Sequence, residues 1–456
     1  MIGVALALLS CTVVGAILTR ALGLRVERAA FLGVSMLLGV AVPACVLFTC
    51  SVIGIRWSTT IVVGGTLFIA IAAALADRRN ERVVDSVIGS RRRSVVPAII
   101  DAVTMISLLG YAWYATIGPT PETDFISIWG AKGKIFAEAG SIDWRFLEQA
   151  GELAHPDYPI FLPLVFAFLS LFSGSWDAAA LGLLFPFLSG AALLIIRSEL
   201  FRSTGSRLIA ALGTTASVAA AVSPYVGLAE GPLIAYGSAG VLLIRRGLAD
   251  GEKRNLAVGS ILLGLAGSIK NEGLTLVVAV LMATLVVQRF DVRRVLMLWP
   301  AIVIPIPWIV LRHMHHLQTD LTRGSMVERI WLHLQEPGQF LEVITRYSLG
   351  KPLFWIGISI GLIVVIRHAI RFERFLLVTL AIQYAFFSLA YLSTPHDLDW
   401  QFRWSWERVM NQQTLLLEFL VILGLSPILL RWAHQRSRNV SASPDGPVSP
   451  VRSDLQ

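Results

Sequence analysis

Apolar residues in this chain fall into long, nearly unbroken runs rather than the alternating or one-faced patterns of a water-facing fold. Runs lie near 1–22, 29–53, 60–76, 96–118, 159–173, 178–197, 207–224, 228–245, 255–269, 273–288, 295–311, 352–367, 375–393 and 413–431, separated by short polar segments. Most approach the roughly 20 residues that a helix needs to cross a hydrocarbon core, and several near 15 fall short of it. Each run is predicted as helix. The first lacks a basic segment ahead of it, Arg20 lying at its far end, so a retained helix is expected rather than a signal peptide.

Composition agrees with the pattern. Of 456 residues, 55% are hydrophobic and 15% charged, with a mean hydropathy of +0.70. A water-soluble domain does not reach these values, and a polytopic membrane protein does. The net charge of +8 sits in short clusters between apolar runs, which is a topological signal and not a nucleic-acid footprint. Arg20, Arg25 and Arg28 mark one side. Arg78, Arg79, Arg82 and Arg91 to Arg93, then Arg245, Arg246, Lys253 and Arg254, Arg289, Arg293 and Arg294, Arg367, Arg371 and Arg374, and Arg431, Arg436 and Arg438 fall on the same side. These segments are expected to be cytoplasmic. The N-terminus is then outside and the C-terminus inside, which needs an odd number of crossings, about 13, with one apolar run not crossing. The conflict lies between 118 and 198: either 159–173 is partial or re-entrant, or the basic segment with Arg197, Arg202 and Arg207 misleads. Cys11, Cys45 and Cys50 all lie within apolar runs and form neither a metal-binding spacing nor a disulfide framework. The tail 433–456 is Ser/Pro-rich and is expected to be a disordered cytoplasmic segment.

This topology places three longer polar segments, 119–158, 312–351 and 394–412, on the outer side, together with tight turns at Glu230 and at Lys270-Asn271-Glu272. Ionisable groups at membrane depth are costly, so each is a functional candidate. A helical reading of 124–139 puts Phe125, Ile128, Trp129, Ile135 and Phe136 on one face and Lys132, Lys134 and Glu138 near water, an amphipathic helix lying in the interface. Asp124 opens it, either as an N-cap or as a general base toward an acceptor hydroxyl. Lys270 either snorkels from a wet turn or binds a lipid phosphate. The segment with His396, Asp397, Asp399, Arg403, Glu407 and Arg408 among Trp400, Trp404 and Trp406 is either an aromatic belt with solvated charges or a site where arginines hold phosphate and rings stack on sugar or isoprenoid. In HPDYPIFLP, prolines 156, 159 and 163 restrict the backbone where the outer loop meets the membrane, and His155, Asp157 and Tyr158 are either the rim of a substrate site facing an external cavity or an interfacial Tyr anchor with a capping Asp.

The order of SIWGAKGKIFAEAG, HPDYPIFLPL, EGPLIAYG, SIKNEG and DLDWQFRWSWERV resembles bacterial GT-C-type membrane glycosyltransferases over roughly 96–432. More distantly, it is similar to protein mannosyltransferases and lipid A aminoarabinose transferase-like enzymes. The resemblance implies residues 1–95 as N-terminal membrane helices with a basic cytoplasmic loop, and 96–432 as the catalytic module. It implies inverting transfer of a sugar from a polyprenyl-phosphate donor to a glycan, lipid or protein acceptor on the periplasmic or extracellular face of a bacterial inner membrane. Asp124 is then the catalytic carboxylate. Lys270, Arg403 and Arg408 would meet the donor phosphate, and Glu230, Asn271, Glu272, His155, Asp157, Tyr158 and His396 would line the substrate site. No cofactor is certain. A divalent ion, magnesium or manganese, is an option the family opens, although only Glu122 accompanies Asp124. Membrane lipids are expected partners and nucleic acid is not. The competing classes are a transporter or flippase, which would be expected to show related halves, and a ligase that moves a whole lipid-linked glycan.

Overall fold

The computed structural model describes residues 1–77, 95–120, 122–151, 154–222, 226–318, 324–348 and 352–441. The basic segment with Arg78 to Arg93 and the last part of the tail, 442–456, lie outside them. Among the described residues the chain is helical, without strands, and seven helices are long and apolar enough to cross a membrane. It is an all-α membrane protein.

The chain opens with α1 (Ile2–Ala21), α2 (Arg28–Val52), α3 (Thr59–Asp77) and α4 (Val95–Thr116). A π-helical turn at Phe125–Trp129 leads into α5 (Gly130–Ala139), then α6 (Trp144–Gln149), α7 (Phe161–Ser173), α8 (Ala178–Leu181) and α9 (Leu184–Thr204). Next come α10 (Arg207–Ala216), α11 (Val218–Val222), α12 (Glu230–Asp250), α13 (Lys253–Gly267) and α14 (Asn271–Val287). Three short pieces follow, α15 (Val292–Leu296), α16 (Trp299–Val303) and α17 (Ile306–Met314), broken around Pro300 and Pro305, where proline removes a backbone donor. The chain closes with α18 (Met326–Gln335), α19 (Pro337–Ser348), α20 (Pro352–Phe372), α21 (Arg374–Leu392) and α22 (Leu398–Ser441).

Local chemistry accounts for the sharp reversals. Gly205, at φ +65°, ends α9, and Ser206 then caps α10 by accepting from Ile209 N. Close approach of small residues joins α1 to α2: a Cβ on Gly15 would lie 1.8 Å from Ser35 O, and one on Gly39 1.8 Å from Cys11 O. In lipid, where apolar surface gains little by meeting apolar surface, such backbone proximity supplies the packing energy. One core runs from Val4 to Leu423, and Tyr236 on α12 donates its hydroxyl to Leu37 O on α2 at 2.7 Å.

The bundle has two polar ends. At one, Arg246 donates to Arg25 O at 3.0 Å and to the fully buried Glu199 at 3.0 Å, Arg254 donates to Gly23 O at 3.3 Å, and Arg202 reaches Asp250 at 3.1 Å. Arg245 forms a two-pronged pair with Glu373. The segments around Arg25, Arg202, Arg246 and Glu373 therefore share one end, so the basic segment at 197–207 groups with the other basic loops.

The opposite end gathers Trp57 N on Gly140 O at 2.6 Å, Ile142 N on Ser51 Oγ at 3.0 Å and Thr120 Oγ1 on Ala178 O at 2.9 Å. Both ends of α7 rest here. Phe161 N donates to Ser268 O at 3.3 Å, and Leu171 O accepts from Thr59 at 3.1 Å. At 13 residues, α7 is also short for a crossing. The 159–173 run thus begins and ends at the same end of the bundle.

Two expectations are corrected. Lys132 does not face water with Lys134 and Glu138; it is fully buried. The reading assumed one helical period over 124–139, and the π-turn at 125–129 widens a turn and rotates everything after it. The tail expected to be disordered from 433 is helical as far as Ser441, as part of α22, which begins at Leu398 and takes up most of the outer polar segment 394–412.

Candidate functional site

Asp124 immediately precedes the π-turn, at φ −66° and ψ −30°, and its side chain accepts no capping hydrogen bond. The N-cap reading is therefore set aside: the carboxylate points instead to Arg408 of α22, with Oδ2 2.5 Å from Nη2. The same guanidinium reaches Glu230, the first residue of α12, donating to Oε1 from Nη2 at 2.9 Å and from Nε at 3.2 Å. That oxygen also accepts from Lys270 Nζ at 2.9 Å, and Lys270 meets Glu272 Oε1 at 2.8 Å. Four segments distant in sequence thus meet in one ionic chain, Asp124 to Arg408 to Glu230 to Lys270 to Glu272.

Burial grades along this chain. Glu230 is wholly buried, and its second oxygen Oε2 has no hydrogen-bond partner. A carboxylate so enclosed is tolerable only because two cations face it. Asp124 and Arg408 are 23% and 30% exposed, so the outer link of the chain is open to a ligand. Beside it, Glu122 is raised from its ordinary value by burial, with the nearby carboxylates of Asp124 and Glu230 adding to the effect and Arg408 opposing it. Gln383 on α21 braces the turn, donating to Glu272 O at 3.3 Å and Thr275 Oγ1 at 2.9 Å.

The HPDYP segment forms the adjoining wall. His155 takes a left-handed φ of +43°, and its carbonyl accepts from Lys132 Nζ at 2.6 Å. Burial lowers the Lys132 ammonium to about 7, against an opposing pull from Asp157. Asp157 is fully buried, a correction to its expected place facing an external cavity. The turn closed by Tyr158 N on His155 O at 3.0 Å carries it, and it acts electrostatically on the buried Lys132. Tyr158 stacks on Trp129 at 5.6 Å and on His155 at 4.5 Å. Burial raises its phenol, and Glu272, Lys270, Asp157 and Asp124 all act on it electrostatically, so it adjoins the ionic chain.

Among the expected residues, the structure brings together Asp124, Glu230, Lys270, Glu272 and Arg408, with Tyr158 beside them. Asn271 opens α14 next to Lys270, its Oδ1 buried without a hydrogen-bond partner. Arg403 goes elsewhere: it is 64% exposed and pairs with Asp399 at 2.9 Å. His396 packs on Trp400 in its own segment, ring centroids 4.9 Å apart. Sequence reasoning missed Lys132, because the π-turn leaves no mark in the apolar pattern, and Gln383, which lies unremarked within an apolar run.

The arrangement holds the Glu230 carboxylate between Arg408 and Lys270 and leaves the Asp124–Arg408 link partly exposed, where a carboxylate and a guanidinium could meet a ligand. It does not fit a metal ion. Among the described residues no group of three or more His, Cys, Asp or Glu side chains stands together as a metal site, and one oxygen of Asp124 and one of Glu230 already receive Arg408. No protein-family model, curated protein or solved structure matches the chain.

Proposed function

We propose that this chain is an integral membrane glycosyltransferase, moving a sugar from a polyprenyl-phosphate donor to a glycan, lipid or protein acceptor of the bacterial envelope, on the outer face of the membrane. The observation that carries the reading is the meeting of Asp124, Glu230, Lys270 and Arg408 at one end of the bundle, opposite the basic end. Reading α10 with α11, and α15 to α17, as single broken crossings, and leaving out α7, gives an odd number of crossings, about thirteen. The positive-inside rule then puts this site outside.

The chemistry asked of the site is modest. The anomeric carbon of a lipid-phosphate sugar is already activated. The acceptor oxygen attacks it as Asp124 takes the hydroxyl proton, and the bond from the anomeric carbon to the phosphate oxygen breaks on the opposite face, its electron pair leaving with the lipid phosphate. Arg408 and Lys270 meet the charge that develops there. Single displacement with inversion needs one base, not the paired carboxylates of a retaining glycosidase. Before the donor binds, Arg408 pairs with Asp124. The donor phosphate replaces Asp124 on the guanidinium, which uncovers the carboxylate as the base. Glu230, buried behind both cations, is a positioning residue that keeps them together.

The test is transfer from a synthetic polyprenyl-phosphate sugar by purified protein in detergent. Asp124→Asn is expected to keep the fold, to bind donor at least as tightly because no carboxylate competes for Arg408, and to lose about a thousandfold in rate, within the usual range for a general base. Wild-type rates in that variant would remove Asp124 from the mechanism. The broken paths at Ser217 and at Pro300 to Pro305 are the one feature that favours a transporter. Sugar transfer in detergent, where no gradient exists, decides against transport as the primary activity.

A further inference from the structure

At the basic end, far from Asp124, a crevice of about 280 Å³ opens where α14, α20 and α21 meet. Its walls are aliphatic, with Val286, Val287, Ile370, Leu377 and Val378, and Arg289 and Arg374 stand among them. Val286 and Ile370 are each 49% exposed, so the crevice opens on the outside of the bundle and not into its core.

The two arginines differ from their neighbours. Arg202, Arg245 and Arg246 at this end are all paired with carboxylates. Neither Arg289 nor Arg374 has an ion pair among the described residues, and Arg374 directs its Nε to Ile370 O. The acids closest in sequence are engaged: Glu373 holds Arg245, and Asp291 caps α15 through Arg293 N at 3.0 Å. Arg289 and Phe290 both take left-handed backbone conformations, at φ +52° and +66°, which bulky residues adopt only when the surrounding structure holds them there. The turn closes through Phe290 N on Leu285 O at 2.7 Å and leaves Arg289 at the crevice. Beyond it, Phe290, Val292 and Leu296 are 70%, 57% and 65% exposed, with Arg293 and Arg294 interleaved. Exposed apolar side chains alternating with arginines suit the boundary between acyl chains and headgroups.

We propose that this crevice binds one anionic phospholipid of the leaflet at the basic end, with an acyl chain along the aliphatic wall and its phosphate across Arg289 and Arg374. Charge complementarity selects this occupant: two guanidinium groups without carboxylate partners among the described residues border an apolar slot, and an anionic lipid supplies both halves of the match. The volume, near the lower limit of about 300 Å³ for ligand sites, suits a length of one chain.

Native mass spectrometry of the full-length protein in neutral detergent tests this, titrating phosphatidylglycerol, phosphatidylcholine with the same acyl chains, and inorganic phosphate. The first phosphatidylglycerol is expected to bind at least tenfold more tightly than phosphatidylcholine and to resist displacement by phosphate. The double variant Arg289→Gln with Arg374→Gln is expected to lose that tenfold preference, Arg289→Lys with Arg374→Lys to keep most of it, and Val378→Trp to weaken the first adduct by filling the slot. Thermal melts confirm that each variant is folded. Equal affinity for the two lipids, undiminished phosphatidylglycerol binding in the glutamine variant, or full competition by inorganic phosphate would each overturn the proposal. The readout does not involve sugar transfer, so its failure leaves the proposed enzymatic reading untouched.

Discussion

Glu230 and Glu272 hold the same ammonium at nearly equal distances, 2.9 and 2.8 Å from Lys270 Nζ, yet loss of the two carboxylates is expected to differ several-fold in cost. Glu230 is wholly buried and also receives two N–H groups from Arg408, whereas the Glu272 side chain is 21% exposed. Removing one partner of a buried ion pair costs about 3–5 kcal/mol because the other charge is left without compensation. In Glu230→Gln, Lys270 retains Glu272 and Arg408 retains Asp124, so the lower end, about 3 kcal/mol, is expected. In Glu272→Gln, water and Glu230 both remain available to Lys270, and the loss should be about 1 kcal/mol or less. The difference corresponds to roughly thirtyfold in the unfolding equilibrium. Denaturant unfolding in mixed micelles, followed by the fluorescence of the 13 tryptophans, measures it. In a Lys270→Met background the cost of Glu230→Gln should fall, since one of the cations it compensates is gone. Equal losses for the two glutamine variants, or a larger one at Glu272, would refute the reasoning that burial and not distance sets the value of these pairs.

Three further outcomes are expected. Arg408→Ala should lower sugar transfer by about a hundredfold, as loss of a charge-stabilising donor does, while Arg403→Ala leaves it nearly unchanged; comparable losses in steady-state rate would mean that the late segment is engaged differently. The Lys132 ammonium is lowered from 10.5 to about 7, so between those values the folded protein binds fewer protons than the unfolded chain, and its contribution to stability rises with pH by about 1.4 kcal/mol per unit. Lys132→Met should flatten that rise, and melting curves with the same pH slope as the parent would count against the assignment. Gly39→Leu should force α1 from α2, since even a Cβ there would lie 1.8 Å from Cys11 O, and cost about 1–3 kcal/mol or more, read in the same unfolding assay; an unchanged midpoint would show that the two helices can separate freely.

Much of the architecture was legible along the chain. Apolar run length and the spacing of arginines are local properties, and they led to helices and to a basic end, while leaving two explanations for the mismatch between 118 and 198. That both ends of 159–173 lie at the same end of the bundle, held by Ser268 and Thr59, was decided by tertiary structure. Lys132 escaped because a π-turn changes helical phase without changing composition.

The site divides in the same way. From sequence alone came the candidates Asp124, Glu230, Lys270, Glu272, Arg403 and Arg408, since charged residues next to apolar runs stand out wherever they occur. Which of them meet was decided by tertiary structure. Arg403 and Arg408 lie five residues apart on one helix, about 140° around its axis, so only one can face Asp124, and the apolar pattern does not say which. Helix azimuth and depth, set by packing across the whole bundle, turn Arg408 to Asp124 and Glu230 and leave Arg403 with Asp399.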